Sequence, residues 1–164
     1  MRHLHIFLSA AAIAVAAVAC KTATTEISGE YSTYNFDIAC LAMDPDGTQT
    51  LRAWGQGKNR SEAIEQAKKK ALEEVLFKGV TAGSGEWDQR PIVTEVNAQQ
   101  RHEDYFTKFF EDGGEYRNYV WLDEKGTSRI KSESATVENW GVVVSINRDK
   151  LRDKLIKDKI IKQQ

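Results

Sequence analysis

Tyr34, Phe36, Ile38, Cys40 and Ala42 alternate with residues such as Asn35 and Asp37, the period of two expected of a strand with one buried face. Asp44-Pro45-Asp46-Gly47 then reads as a tight turn, because Pro presets one backbone angle and Gly permits a positive one. Thr48, Thr50, Leu51, Ala53 and Trp54 continue as a second strand, so the two runs predict a hairpin. Beyond it the period changes to that of a helix. Ala63, Ala67, Ala71 and Val75 form one row and Ile64, Leu72 and Leu76 the next, with Glu65, Lys69 and Glu73 on the other side. Asn59 is the expected N-cap, Glu62 three residues on can reach back to the cap's own N–H, and Gly79 is the stop.

Gly83, Gly85 and Pro91 mark residues 80–92 as a loop. A second helix is expected over 94–112, with Tyr105, Phe106, Phe109 and Phe110 on one face and Gly113-Gly114 as its end. The period then returns to that of strands. These are expected at 119–122, 129–137 and 140–146, with Asp123-Glu124-Lys125-Gly126 as a turn. The last is almost continuously apolar and therefore central in its sheet. Asn147 caps a final helix that turns Leu151, Leu155 and Ile156 inward. The order β-β-α-α-β-β-β-α predicts an α+β domain, a mainly antiparallel sheet with helices packed on one face.

The N-terminal pattern is of another kind. A short polar start with Arg2 leads into an apolar, alanine-rich stretch ending at Ala19, which has the length of a signal peptide and falls short of the about 20 apolar residues of a membrane span. Ala17-Val18-Ala19-Cys20 resembles the lipobox of bacterial lipoproteins, in which the cysteine is acylated and becomes the new N-terminus. Ala17 stands where that motif usually has Leu, and the same residues satisfy the small-x-small rule of ordinary secretion; both readings cut before Cys20. The expected organisation is a signal peptide at 1–19, a polar lipidated tether at 20–32 and one domain at 33–164. Removal of 19 of the 164 residues leaves 145 with Cys40 as the only other thiol. A domain in an oxidising compartment without a disulfide framework relies on its hydrophobic core.

Charge excludes one class of partner: without Arg2 there are 22 Lys and Arg against 24 Asp and Glu, no basic bias for nucleic acid. His3 and His5 leave with the signal, so His102, on a polar stretch, is the only histidine of the mature chain. A triad and a zinc site both need more than this, and no catalytic residue, metal site or cofactor is expected. Cys40 reads as a small buried hydrophobe. The acidic turn lacks the repeat and distal Glu of a calcium loop. Gly55-Gln56-Gly57 lacks the third glycine of the dinucleotide fingerprint, Arg60 standing in its place, so a bend for close helix packing is expected instead. Lys68-Lys69-Lys70 reads as the wet face of a helix. The aromatic stripe reads chiefly as core, with Phe106 and Phe109 innermost. If one feature contacts a partner, Tyr105 and Phe110 at its edge, joined by Trp87 from the preceding loop, are the candidates.

Ala53-Trp54-Gly55-Gln56-Gly57 leading into Ser61-Glu62-Ala63, Ala67 and Ala71, together with Val142-Val143-Val144 before Leu151 and Leu155, carries a family resemblance. This pattern, about half of the chain, resembles the domain shared by twenty-kilodalton surface lipoproteins of the helicobacter type and the N-terminal domain of flagellar assembly protein T. The segment from Tyr105 to Gly114 is similar to an insertion in uncharacterised lipoproteins of Bacteroidetes-type bacteria. The resemblance implies a non-catalytic structural or assembly component of the cell envelope, anchored to the outer membrane through Cys20 and facing the periplasm, with protein partners there. Lys21, not Asp, after Cys20 agrees with the outer membrane. The alternative expectation is a module that binds an envelope glycan, lipid or peptide between the aromatic helix and the sheet.

Overall fold

A computed structural model describes residues 37–83, 90–130 and 137–162; the expected signal peptide, tether and Cys20 lie outside them, as does Trp87. The first hairpin joins β1 (Ala39–Met43) to β2 (Thr48–Gly57). Its turn closes through Asp44 N–H to Thr48 O at 2.8 Å and Thr48 N–H to the Asp46 carboxylate at 2.9 Å, with Gly47 at φ 78°. A register shift between Cys40 and Ala42 adds one residue to β1, so Cys40 faces the core while Ala42, expected on the same face, is exposed.

Helix α1 (Arg60–Glu73) starts as the sequence predicts, the Asn59 side chain accepting from Glu62 N–H at 3.0 Å. The Glu62 carboxylate reaches back to Lys58 N–H at 2.8 Å, one residue beyond the expected partner. The helix runs on into a single wider turn, Glu74–Lys78, and stops at Gly79, whose φ is 84°. Alanines bring α1 onto β2. A Cβ on Gly55 would lie 1.8 Å from the Ala63 carbonyl oxygen, so the Gly55-Gln56-Gly57 segment serves close packing, the bland one of its two readings.

The remaining elements are β3 (Ala82–Gly83), α2 (Ala98–Arg101), α3 (Glu103–Phe110), a 3-10 turn at Glu115–Asn118, β4 (Val120–Ile130), β5 (Glu138–Asn147) and α4 (Arg148–Lys157). The five strands lie in the order β3-β1-β2-β5-β4, antiparallel except for the β1–β3 pair. The α+β class is as expected, and β5 is internal, as its apolar run requires. Three expectations are corrected. The loop over 80–92 contributes β3, too short for a period to show. The helix over 94–112 is two short helices broken at His102, whose φ of −115° leaves the helical region. The turn at 123–126 does not reverse the chain: β4 passes through it as a bulge, its register with β5 shifting between Asp123 and Ser128. Lys125 N–H donates to the Asp123 carboxylate at 3.0 Å and the Thr127 hydroxyl to Asp123 O at 3.0 Å, so the turn chemistry is present inside a strand.

One core fills the space between helices and sheet. Leu51 and Ala53 of β2 and Val142, Val144 and Ile146 of β5 face Ala67, Ala71 and Leu72 of α1, Phe106 and Phe109 of α3 and Leu151 and Leu155 of α4. All are essentially removed from water.

Candidate functional site

The aromatic stripe divides as its edge and centre predict. Phe106 and Phe109 are buried, while Tyr105 and Phe110 are half-buried. Phe106 meets Phe77 edge-on at 4.9 Å, and Phe110 meets Phe109 edge-on at 5.1 Å, geometries that favour aromatic contact. Phe110 thus belongs to the packing of α3.

Tyr105 and Phe109 also line a half-open cavity of about 390 Å³, with Lys108, Glu111, Gly113, Gly114, Glu115 and Lys154. It lies between α3, the glycine turn and α4, not between the aromatic helix and the sheet. Its polar rim is a chain of charges from distant parts of the sequence. The Tyr105 hydroxyl donates to Asp158 at 2.7 Å, and the Lys154 ammonium reaches Asp158 at 2.9 Å and Glu115 at 2.8 Å. Burial, then the bond to Asp158 and its charge, raises the Tyr105 phenol well above its ordinary value. The bonds to Glu115 and Asp158 raise Lys154 likewise. Burial pushes Asp158 upward, but the bonds from Tyr105 and Lys154 outweigh it and hold the carboxyl below its usual range. Every shift moves its group away from neutrality.

A second polar cluster is buried. Arg148, 2% exposed, donates to the Gln49 side chain at 3.1 Å and to the Arg90 carbonyl at 2.8 Å, and Gln49 reaches the Cys40 sulfur at 3.5 Å. It ties the start of α4 to β2 and to the chain entering α2, satisfying a charge that would otherwise be costly to bury. Nothing in the order Asn147-Arg148 after an apolar strand distinguishes this arginine from a solvated first-turn residue. Of the lysine run expected on the wet face of the helix only Lys70 is exposed; Lys68 pairs with Glu65 at 3.0 Å and Lys69 with Asp112 at 2.9 Å, their side chains 17% and 15% exposed, and Lys69 lies over the Tyr116 ring. Among the described residues, no group of three His, Cys, Asp or Glu side chains is placed to hold a metal, and no helix is long and apolar enough to cross a membrane.

The opposite face of the sheet has no described helix packed on it, although the β4 bulge lies against Val143 and the Trp54 ring against Gly141, and both of these residues are buried. Thr50, Arg52 and Trp54 of β2, Gly141, Val143 and Ser145 of β5, and Trp121 and Asp123 of β4 project there. Trp121 is 46% exposed, and Leu41, in the irregular stretch of β1, is 36% exposed. Trp121 was legible only as an alternating member of a strand between buried Val120 and half-buried Leu122. Comparison of the chain with protein-family models, with curated proteins and with solved structures finds no match.

Proposed function

We propose that this protein is a non-catalytic lipoprotein of the bacterial cell envelope, anchored through acylated Cys20 to the periplasmic side of the outer membrane, where its α+β domain acts by contact with other proteins. The observation that carries this reading is the position of Cys20, directly after Ala17-Val18-Ala19 at the end of an apolar stretch of signal length. Several acyl chains, at about 0.8 kcal/mol per buried methylene, anchor such a chain without help from the domain. The resemblance to envelope lipoproteins and to the flagellar assembly domain agrees with it. The absence of a partner class among nucleic acids follows from charge.

Intact mass of the protein isolated from its membrane tests the anchor: an acylated N-terminal Cys20 is expected, with palmitate labelling lost in Cys20→Ala. An unmodified cysteine at the new N-terminus overturns it. The cavity beside Tyr105 favours a second reading, a module for an envelope glycan, lipid or peptide. A thermal-shift screen with those three classes separates the two, because a ligand bound only by the native state raises its stability with occupancy.

A further inference from the structure

We propose that the uncovered face of the sheet is self-complementary and joins two copies of this chain about a two-fold axis running along β5. The strand register carries the argument. Arg52 pairs with Val143, and Val143 pairs with Asp123, so the three stand in one row across β2, β5 and β4. All are in the outward phase of the sheet; Arg52 and Asp123 are exposed, whereas Val143 between them is buried, 7% exposed, under the β4 bulge at Gly126. With strands about 4.8 Å apart, the two charges lie at roughly equal distances from the β5 axis, one on each side.

Half a turn about that axis lays β2 of the second copy over β4 of the first. Arg52 of each copy then faces Asp123 of the other, and each contact occurs twice, as an isologous interface requires. The next row behaves in the same way. Trp121 pairs with Ser145 and Ser145 with Thr50, so the rotation brings each Trp121 over Thr50 of the other copy. Thr50 and Ser145 are small, and their hydroxyls lie 3.1 Å apart, which leaves a low floor beneath the incoming indole. Gly126 of the β4 bulge lies against the buried Val143, where a Cβ would come within 2.4 Å of its side chain, so the bulge itself forms the surface at the axis and a glycine keeps it low. Two charges of one sign on this face would repel a second copy; one of each sign, symmetric about β5, attracts it.

The inference names a partner for the assembly reading and is tested without reference to acylation. The full chain carrying Cys20→Ser, which cannot be acylated at that position, is followed by sedimentation equilibrium from micromolar to millimolar concentration. The expected result is a molar mass rising from one chain towards two. Arg52→Glu makes both symmetric contacts repulsive and is expected to weaken association by about tenfold or more, and adding Asp123→Lys to the same chain to restore it. Asp123→Asn keeps the oxygen that accepts from Lys125 and is expected to weaken association without disturbing the bulge. Trp121→Ser is expected to weaken it as well, with melting of every variant measured alongside. A wild-type surface that stays monomeric throughout, or an association indifferent to Arg52→Glu and Trp121→Ser in chains that melt normally, overturns the proposal. Either result leaves the acylation of Cys20 to its own mass measurement.

Discussion

On the helix-covered side of the sheet, Leu51, Val142, Val144 and Ile146 are completely buried, whereas in the other phase of the same strands Arg52 is exposed, Thr50 and Ser145 are half-buried, and only Gly141 and Val143, against the Trp54 ring and the β4 bulge, are buried. The covered side also holds the densest aromatic cluster of the described chain, built on α3. The other side carries two indoles, the well-exposed Trp121 and the half-buried Trp54, with Val143 and small and charged residues between them. Aromatic density along the sequence therefore points to the core, because several rings spaced along one helix are what closes a helix against a sheet. Of the two outward-facing indoles, Trp121 is the one that stands open to solvent, 46% exposed. The comparison also separates kinds of tolerance: the covered side depends on volume, and the uncovered side on charge and shape at a few positions.

The sharpest way to break this comparison is to truncate one ring on the covered side. Phe106→Ala is expected to destabilise the protein by about 3–5 kcal/mol, since Phe106 is 3% exposed and packed edge-on against Phe77 and Tyr105. A denaturant midpoint that falls steeply with an unchanged slope gives that outcome. A change below about 1 kcal/mol would mean that the ring is not core, and the stripe would return as a candidate interface.

How much of this was legible in the sequence depends on the range over which each feature is determined. The hairpin turn, the Asn59 and Asn147 caps and the amphipathic stripe of α1 are local, and they stand where the residues put them. That β5 is an internal strand was legible because four successive positions, Gly141 to Val144, are apolar or glycine, and all are buried, although β2 and not β5 holds the centre of the sheet. The bulge in β4 was not: Asp123-Glu124-Lys125-Gly126 carries the chemistry of a reversal, and only the ladder to β5 on both sides of it keeps the chain going forward. Nor could periodicity bring Tyr105 to Asp158 or Arg148 to Gln49, pairs separated by 53 and 99 positions and joined through the packing of α4. The proposed lipidation site and Trp87 lie outside the described residues, so the former rests on its sequence motif.

Between the two faces in expected magnitude stands the rim of the cavity. Tyr105→Phe keeps the ring and removes the hydroxyl bonded to Asp158, a loss of about 1 kcal/mol at neutral pH. The sign of its pH dependence follows from the raised phenol. Tyr105 ionises more readily in the unfolded chain, near its ordinary value of 10.0, than in the folded one, so its contribution is complete below that value and is lost as pH rises above it. The gap in melting temperature between wild type and Tyr105→Phe is expected to be constant from neutrality to about pH 10 and to close above it. Lys154, raised in the same direction, adds an alkaline loss common to both proteins. A gap that persists unchanged into strong alkali would show that the phenol does not gain its proton affinity from the fold.

The smallest stability effect is expected on the uncovered side, where it matters most that nothing happens. Trp121→Ser removes a side chain that is 46% exposed and has no aromatic or hydrogen-bond partner among the described residues, so melting is expected to change by no more than about 0.5 kcal/mol in the monomer. Measured at concentrations well below those of any association, it isolates the cost to the fold from the cost to contact. A monomer that loses several kcal/mol would place Trp121 in the fold's own packing and remove it from any interface. A monomer left intact shows that the ring is not part of the fold's own packing and leaves it free for the contact that the sedimentation experiment tests. The pair of Phe106→Ala and Trp121→Ser thus compares two aromatic residues of one small domain by one measurement. The difference between them, several kcal/mol on one face and almost none on the other, is what separates a core position from an exposed one, and only the second can serve a partner.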